Sequence, residues 1–202
     1  MTIMSVAKTR IDDHEGPWTV EDVLSLPEHP ARARFEVVDG ALMMSPAPSL
    51  AHQTVAYELH KQLEDSLERS GAPFVAAETV NVRTESRLFI PDIAVMDHSA
   101  VEWDTLIVPL EAMVLLVEIV SPCNQSMDRI FKPALYAQAK VPAYWRVELQ
   151  PDLHVVAHEL ATDAYREVAT ITGKQTVEVA GEFTVDLDVP ALRGRLARGG
   201  RP

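Results

Sequence analysis

Two acids in this sequence stand where packing alone would not put them. Asp92 lies in Phe-Ile-Pro-Asp-Ile-Ala-Val and Glu118 in Leu-Leu-Val-Glu-Ile-Val, each among residues that favour burial. An ionised carboxylate moved from water into apolar surroundings is costly unless a cation or hydrogen bonds compensate it. Two such acids imply a shared cation. A hard divalent ion, Mg²⁺ or Mn²⁺, is the natural partner of carboxylate oxygens and would also bind a phosphate oxygen of a substrate. The plain alternative is that either acid ends its strand and is simply solvated.

Downstream, Lys132 and Tyr136 are four apart and share a face if this segment is helical. Set against the strand end, that face would bring an ammonium to the acids, to stabilise developing negative charge or orient an attacking water. A solvated lysine is the competing reading. His154 and His158 share that spacing, but they lie in Leu-His-Val-Val-Ala-His. A strand spreads four residues over roughly 13 Å, too far for one zinc ion. Cys123 has no evident base beside it in sequence, and as a single cysteine it makes no intrachain disulfide.

The elements that must position these residues can be read in order. Thr19 with Asp22 resembles a capping box ahead of Val23 and Leu24, predicting a short helix before Pro30. Residues 34–38 and 41–44 are strand-like and separated only by Asp39-Gly40, the signature of a tight hairpin. Ser49 can cap a long helix in which Val55, Leu59, Leu63 and Leu67 recur every four residues, closed by Gly71 and Pro73. That helix should cover one face of a sheet.

Residues 74–83, 88–96 and 113–120 are expected as strands, the last apolar enough to be buried on both faces, with 97–111 a polar connection. Residues 128–140 read as a helix if Pro133 falls in its first turn. Segments 143–149, 153–160, 165–170 and 176–185 alternate and predict an antiparallel meander.

At 202 residues with 47% apolar content the chain suits one domain with a full core. Residues 1–18 are expected as an N-terminal extension, 19–192 as the domain, and 193–202 as a tail whose Arg193, Arg195, Arg198 and Arg201 face no acid. Residues 1–13 lack the apolar core of a secretory signal, and no stretch reaches the roughly 20 residues that cross a bilayer. The chain therefore reads as cytoplasmic, with no membrane partner. A net charge of −12 argues against a general nucleic-acid coat protein, so any nucleic-acid contact must be local.

Five segments together resemble the Uma-two family of restriction-endonuclease-like proteins. They are Phe35-Glu36-Val37-Val38-Asp39-Gly40; Ser45-Pro46-Ala47-Pro48 with His52; Pro91-Asp92-Ile93-Ala94-Val95; Val117-Glu118-Ile119-Val120-Ser121-Pro122; and Asp128, Lys132, Tyr136 with Pro142-Ala143-Tyr144-Trp145. The resemblance runs from about Thr19 to Leu192. The family belongs to the PD-(D/E)xK nuclease superfamily. This implies an α/β (α+β) fold, a mixed sheet flanked by helices, and a carboxylate site for Mg²⁺ or Mn²⁺.

Carried over, Asp92 is the aspartate of the PD motif and Glu118 the following acid, both metal ligands. The superfamily pattern places lysine two residues after that acid, where this chain has Val120. The resemblance suggests that the lysine has moved to the helix as Lys132. Glu36 would be an extra acid near the metal, though an exposed hairpin residue is an equal reading. His52 matches the family pattern and would line the site or cap and pack its helix.

The leading expectation is therefore a metal-dependent endonuclease or phosphodiesterase, with Asp92, Glu118 and Lys132 catalytic and Glu36, His52 and Tyr136 as additional site residues. Its substrate would be nucleic acid, DNA ahead of RNA, and no organic cofactor is expected. A non-catalytic DNA- or protein-binding module with the same fold is the alternative, favoured by the acidic charge and by Val120. A glycosidase acid and base would want aromatic platforms, and the chain is only 6% aromatic. A symmetric homodimer is the commonest assembly.

Overall fold

A computed structural model describes residues 11–29, 33–102, 104–121 and 126–199. Residues 1–10, Pro122 and Cys123 lie outside the described residues, as do the side chains of Arg195, Arg198 and Arg201.

The local signals fold as their chemistry predicts. Thr19 caps helix α1 (Val20–Ser25), exchanging hydrogen bonds with Asp22 in a capping box. Strands β1 (Arg34–Val38) and β2 (Ala41–Ser45) pair antiparallel. Asp39 and Gly40 between them adopt φ of 48° and 89°, the left-handed conformations that a primed turn requires. Ser49 caps α2 (Leu50–Ser70), and Gly71 ends it at φ 66°.

The next two expected strands each divide. Residues 74–83 form β3 (Phe74–Glu78) and β4 (Asn81–Arg83), and residues 87–97 form β5 (Arg87–Phe89) and β6 (Ile93–Asp97). Thr79 breaks the first run at φ 55°. Pro91, with no N–H to give a ladder, interrupts the second. The Thr79 N–H donates to the Asp92 carbonyl at 3.3 Å, so both runs switch sheets side by side.

The connection expected as merely polar contains β7 (Ile107–Pro109), which joins β4 in parallel. One sheet thus runs β2-β1-β5-β4-β7. The other takes β3 and β6 with β8 (Met113–Val120), β9 (Ala143–Glu148), β10 (His154–Ala161) and β11 (Ala164–Ile171), in the order β11-β10-β9-β8-β6-β3. Strands β8 and β9 are parallel and their crossover carries α3 (Lys132–Gln138). The expected last strand is instead a hairpin of its own, β12 (Lys174–Val179) with β13 (Phe183–Asp188), turning at Ala180-Gly181, both at positive φ. The chain is helical over Pro190–Gly199 with a kink at Gly194, and Leu192, the last residue of the expected domain, is fully buried.

Strand β8 is buried along its whole length. Its Leu115, Val117 and Ile119 face a core formed with Leu59, Leu63 and Leu67 of α2. Leu116 faces a second core with Phe89, Tyr136 and Tyr144. By strand alternation Glu118 shares the face of Leu116. Among the described residues no helix is long and apolar enough to cross a membrane.

Candidate active site

The site forms where the two sheets fork. Ile93 pairs with Val117, so Asp92 and Glu118 stand one step beyond that pair on neighbouring strands. Both are buried and both line a cavity of about 180 Å³, together with Arg34, Glu36, Asp128 and Lys132.

Protein groups compensate each acid. Asp92 Oδ1 accepts from Arg34 Nη1 at 2.9 Å, and its Oδ2 lies 2.9 Å from both His52 Nε2 and the Ile119 N–H. Burial works to raise the Asp92 carboxyl, but the His52 hydrogen bond, the Ile119 N–H and the charge of Lys132 outweigh it and hold it low. Glu118 Oε1 accepts from Lys132 Nζ at 3.0 Å and from the Tyr136 hydroxyl at 2.6 Å. Burial, reinforced by Asp92, Asp128 and Glu36 against the pull of Lys132, pushes Glu118 up to about 8. Asp128, buried beside the same cation, is pushed up to about 6.

Lys132 is the electrostatic centre. Its Nζ lies 3.0 Å from Glu118 and 3.1 Å from Glu36. Burial works against its charge, yet the surrounding carboxylates keep the ammonium well above its ordinary range. It reaches them because the chain makes a π-helical turn, Met127–Phe131, before α3, so that Pro133 falls in the first turn of α3 and costs no hydrogen bond. Tyr136, one α-turn on, meets the same oxygen. Glu36 Oε1, the oxygen that faces Lys132, also accepts from the Ile90 N–H at 2.8 Å.

The structure thus brings Asp92, Glu118, Lys132, Glu36, His52 and Tyr136 together, and His154 and His158 lie on β10, outside the cavity. Sequence reasoning missed Arg34 as a partner of Asp92 and gave Asp128 no role. Both had a signal. Arg34 is two residues from Glu36 on a strand and so shares its face, and Asp128 lies one helical turn before Lys132. His52 combines two observations, since its Nε2 engages Asp92 while its buried Nδ1 has no hydrogen-bond partner.

The inference that two buried acids demand a metal is corrected in part, because Arg34 and Lys132 already offset part of their charge and His52 is hydrogen-bonded to Asp92. Among the described residues, four carboxylates and two obligate cations, Arg34 and Lys132, line the cavity, leaving two negative charges in excess when all four are ionised. Burial favours a proton on Glu118, which would remove one of those two charges; a divalent cation would balance both. Among the described residues no three His, Cys, Asp or Glu side chains are grouped to hold an ion by themselves. Mg²⁺ is commonly held by one or two carboxylates, keeping waters and substrate phosphates as its other ligands, so Asp92 and Glu118 fit it.

A family model described as Uma2, "Putative restriction endonuclease", matches residues 20–190. A search of curated proteins finds no match. Among solved structures, the crystal structure of a "putative nuclease belonging to DUF820" from Anabaena variabilis ATCC 29413 superposes with a TM-score of 0.66, covering 89% of this chain and 99% of that one at 21% identity. At that identity the likeness establishes the fold.

Proposed function

Because the chain belongs to the Uma2 family of restriction-endonuclease-like proteins, we propose that it is a metal-dependent phosphodiesterase cutting nucleic acid, DNA ahead of RNA, at the cavity between its sheets. The observation that carries this reading is the buried group of Asp92, Glu118 and Lys132, with acid in excess over cation.

Asp92 and Glu118 would hold Mg²⁺ or Mn²⁺, which supplies an acidified water and neutralises charge at the phosphorus. Lys132 keeps its ammonium charged at the acids, where it stabilises negative charge that develops on the phosphoryl oxygens. It thereby does the work that a lysine at position 120 would do. Tyr136, a hydroxyl that burial and neighbouring Glu118 keep protonated, donates to Glu118 and fixes its rotamer. The Ile119 N–H orients Asp92 in the same way, with His52 at the same oxygen, Oδ2.

A second reading has its own observation. Asp92 and Glu118 already have protein cations as partners, which suits a binding module that needs no ion. Titration calorimetry with Mn²⁺, followed by incubation with single-stranded, double-stranded and branched DNA and with RNA, separates the two. We expect Mn²⁺ binding and metal-dependent cleavage. A chain that binds neither Mg²⁺ nor Mn²⁺ and cuts no substrate is a binding module.

A further inference from the structure

A polyanion entering this cavity needs a cation free to meet it, and the protein as a whole carries −12. Among the described residues, two obligate cations line the cavity. Lys132 is committed, with only 6% of its side chain exposed and its Nζ shared between Glu36 and Glu118. Leaving would strand two buried carboxylates. Arg34 differs on each count. Its side chain is 24% exposed, and among the described residues it has a single acceptor, Asp92 Oδ1, reached through Nη1. A guanidinium has five N–H donors in a rigid fork matched to phosphate, so most of its donor capacity is unused.

Asp92 can also release it. His52 and the Ile119 N–H both hold the other oxygen, Oδ2. A divalent cation at Oδ1 would therefore displace Arg34 without disturbing the anchoring of the carboxylate. The displaced guanidinium would remain on β1 at the wall of the same cavity.

We propose that Arg34 is the phosphate-binding residue of this site, exchanging Asp92 for a non-bridging oxygen of the substrate backbone when a divalent cation takes its place. The inference rests on the nuclease reading for the identity of the substrate. It concerns binding, however, and binding can be measured without cleavage.

The test uses the full chain, a short fluorescein-labelled single-stranded DNA read by anisotropy in Ca²⁺, and calorimetry with Mn²⁺ alone. Arg34→Gln should weaken DNA binding about tenfold and flatten the dependence of log affinity on log salt by about 0.7, the share of one phosphate contact on a single strand. The same variant should bind Mn²⁺ as tightly as wild type or more tightly, because Asp92 Oδ1 is no longer shared.

Unchanged DNA affinity and salt slope would overturn the proposal. So would loss of Mn²⁺ binding, which would make Arg34 a prop for Asp92. Should Arg34→Gln fail to fold, Arg34→Lys carries the test: it keeps the wild-type salt slope but binds DNA several-fold more weakly, having no fork, and wild-type affinity in that variant also overturns the proposal. Failure of the nuclease reading has a different signature: wild-type chain binds Mn²⁺ and DNA but cuts nothing, while the Arg34 result stands.

Discussion

Lys132 Nζ lies 3.0 Å from Glu118 Oε1, closing a gap of 14 residues in sequence with a hydrogen bond in the buried centre of the chain. The ammonium comes from the helix of a β-α-β crossover, and the acid from the strand that the crossover leaves. A second carboxylate, Glu36 from β1, reaches the same nitrogen. One cation thus ties together three elements distant in sequence, with consequences for stability as well as for chemistry.

Lys132→Met should destabilise the protein by about 3–5 kcal/mol at neutral pH, because it leaves Glu36 buried without its cation and takes a hydrogen-bond donor from buried Glu118. Urea denaturation at neutral pH measures it. A loss below about 1 kcal/mol, the range of a solvated lysine, contradicts the assigned burial. Turnover in this variant must be assayed where it remains folded, and there we expect a loss of about 10²-fold to 10³-fold.

Mg²⁺ at 100 times its dissociation constant should add about 2.7 kcal/mol to wild-type stability. Asp92→Asn should remove most of that gain. The substitution weakens charged hydrogen bonds from Arg34 and His52, so the metal-free variant should also lose about 2 kcal/mol. Thermal melts with and without Mg²⁺ separate the two effects, and a wild-type response to Mg²⁺ in the variant would put the ion elsewhere.

The pH dependence follows from two displaced acids. Glu118 is pushed up to about 8 from an ordinary 4.5, and Asp128 to about 6 from 3.8. Between those limits the folded chain holds more protons than the unfolded chain, so unfolding free energy falls as pH rises. Asp92, shifted the other way, gives up its contribution only as pH falls through the acid range. The raised ammonium of Lys132 contributes fully below its ordinary 10.5. Metal-free melting temperature should therefore decline from about pH 5 to about pH 8. Mg²⁺ affinity should rise over the same interval, since the ion needs the ionised carboxylates. Glu118→Gln should flatten both curves, and wild-type curves already flat would reject these shifts.

The sequence by itself determined the elements whose causes are local. The Thr19 and Ser49 caps, the Asp39-Gly40 turn, the four-residue leucine repeat of α2 and the apolar run of β8 each depend on neighbouring residues alone, and each formed as expected. The sequence also marked Asp92 and Glu118, because a carboxylate between apolar neighbours needs compensation wherever the chain goes. It placed Lys132 and Tyr136 on one face through helical spacing.

Only the tertiary structure decided what lies across a gap. Strand propensity describes a segment and not its partner, so nothing local showed that residues 74–83 and 87–97 leave one sheet for the other beside Asp92. The 176–185 segment read as one strand because the turn at Ala180-Gly181 lies within a run of alternating residues. The pairing of Arg34 with Asp92 spans 58 residues. The sequence could show that the acids needed compensation; which cations supplied it depended on where the fold brought β1 and α3, since electrostatic partners are chosen by distance in space.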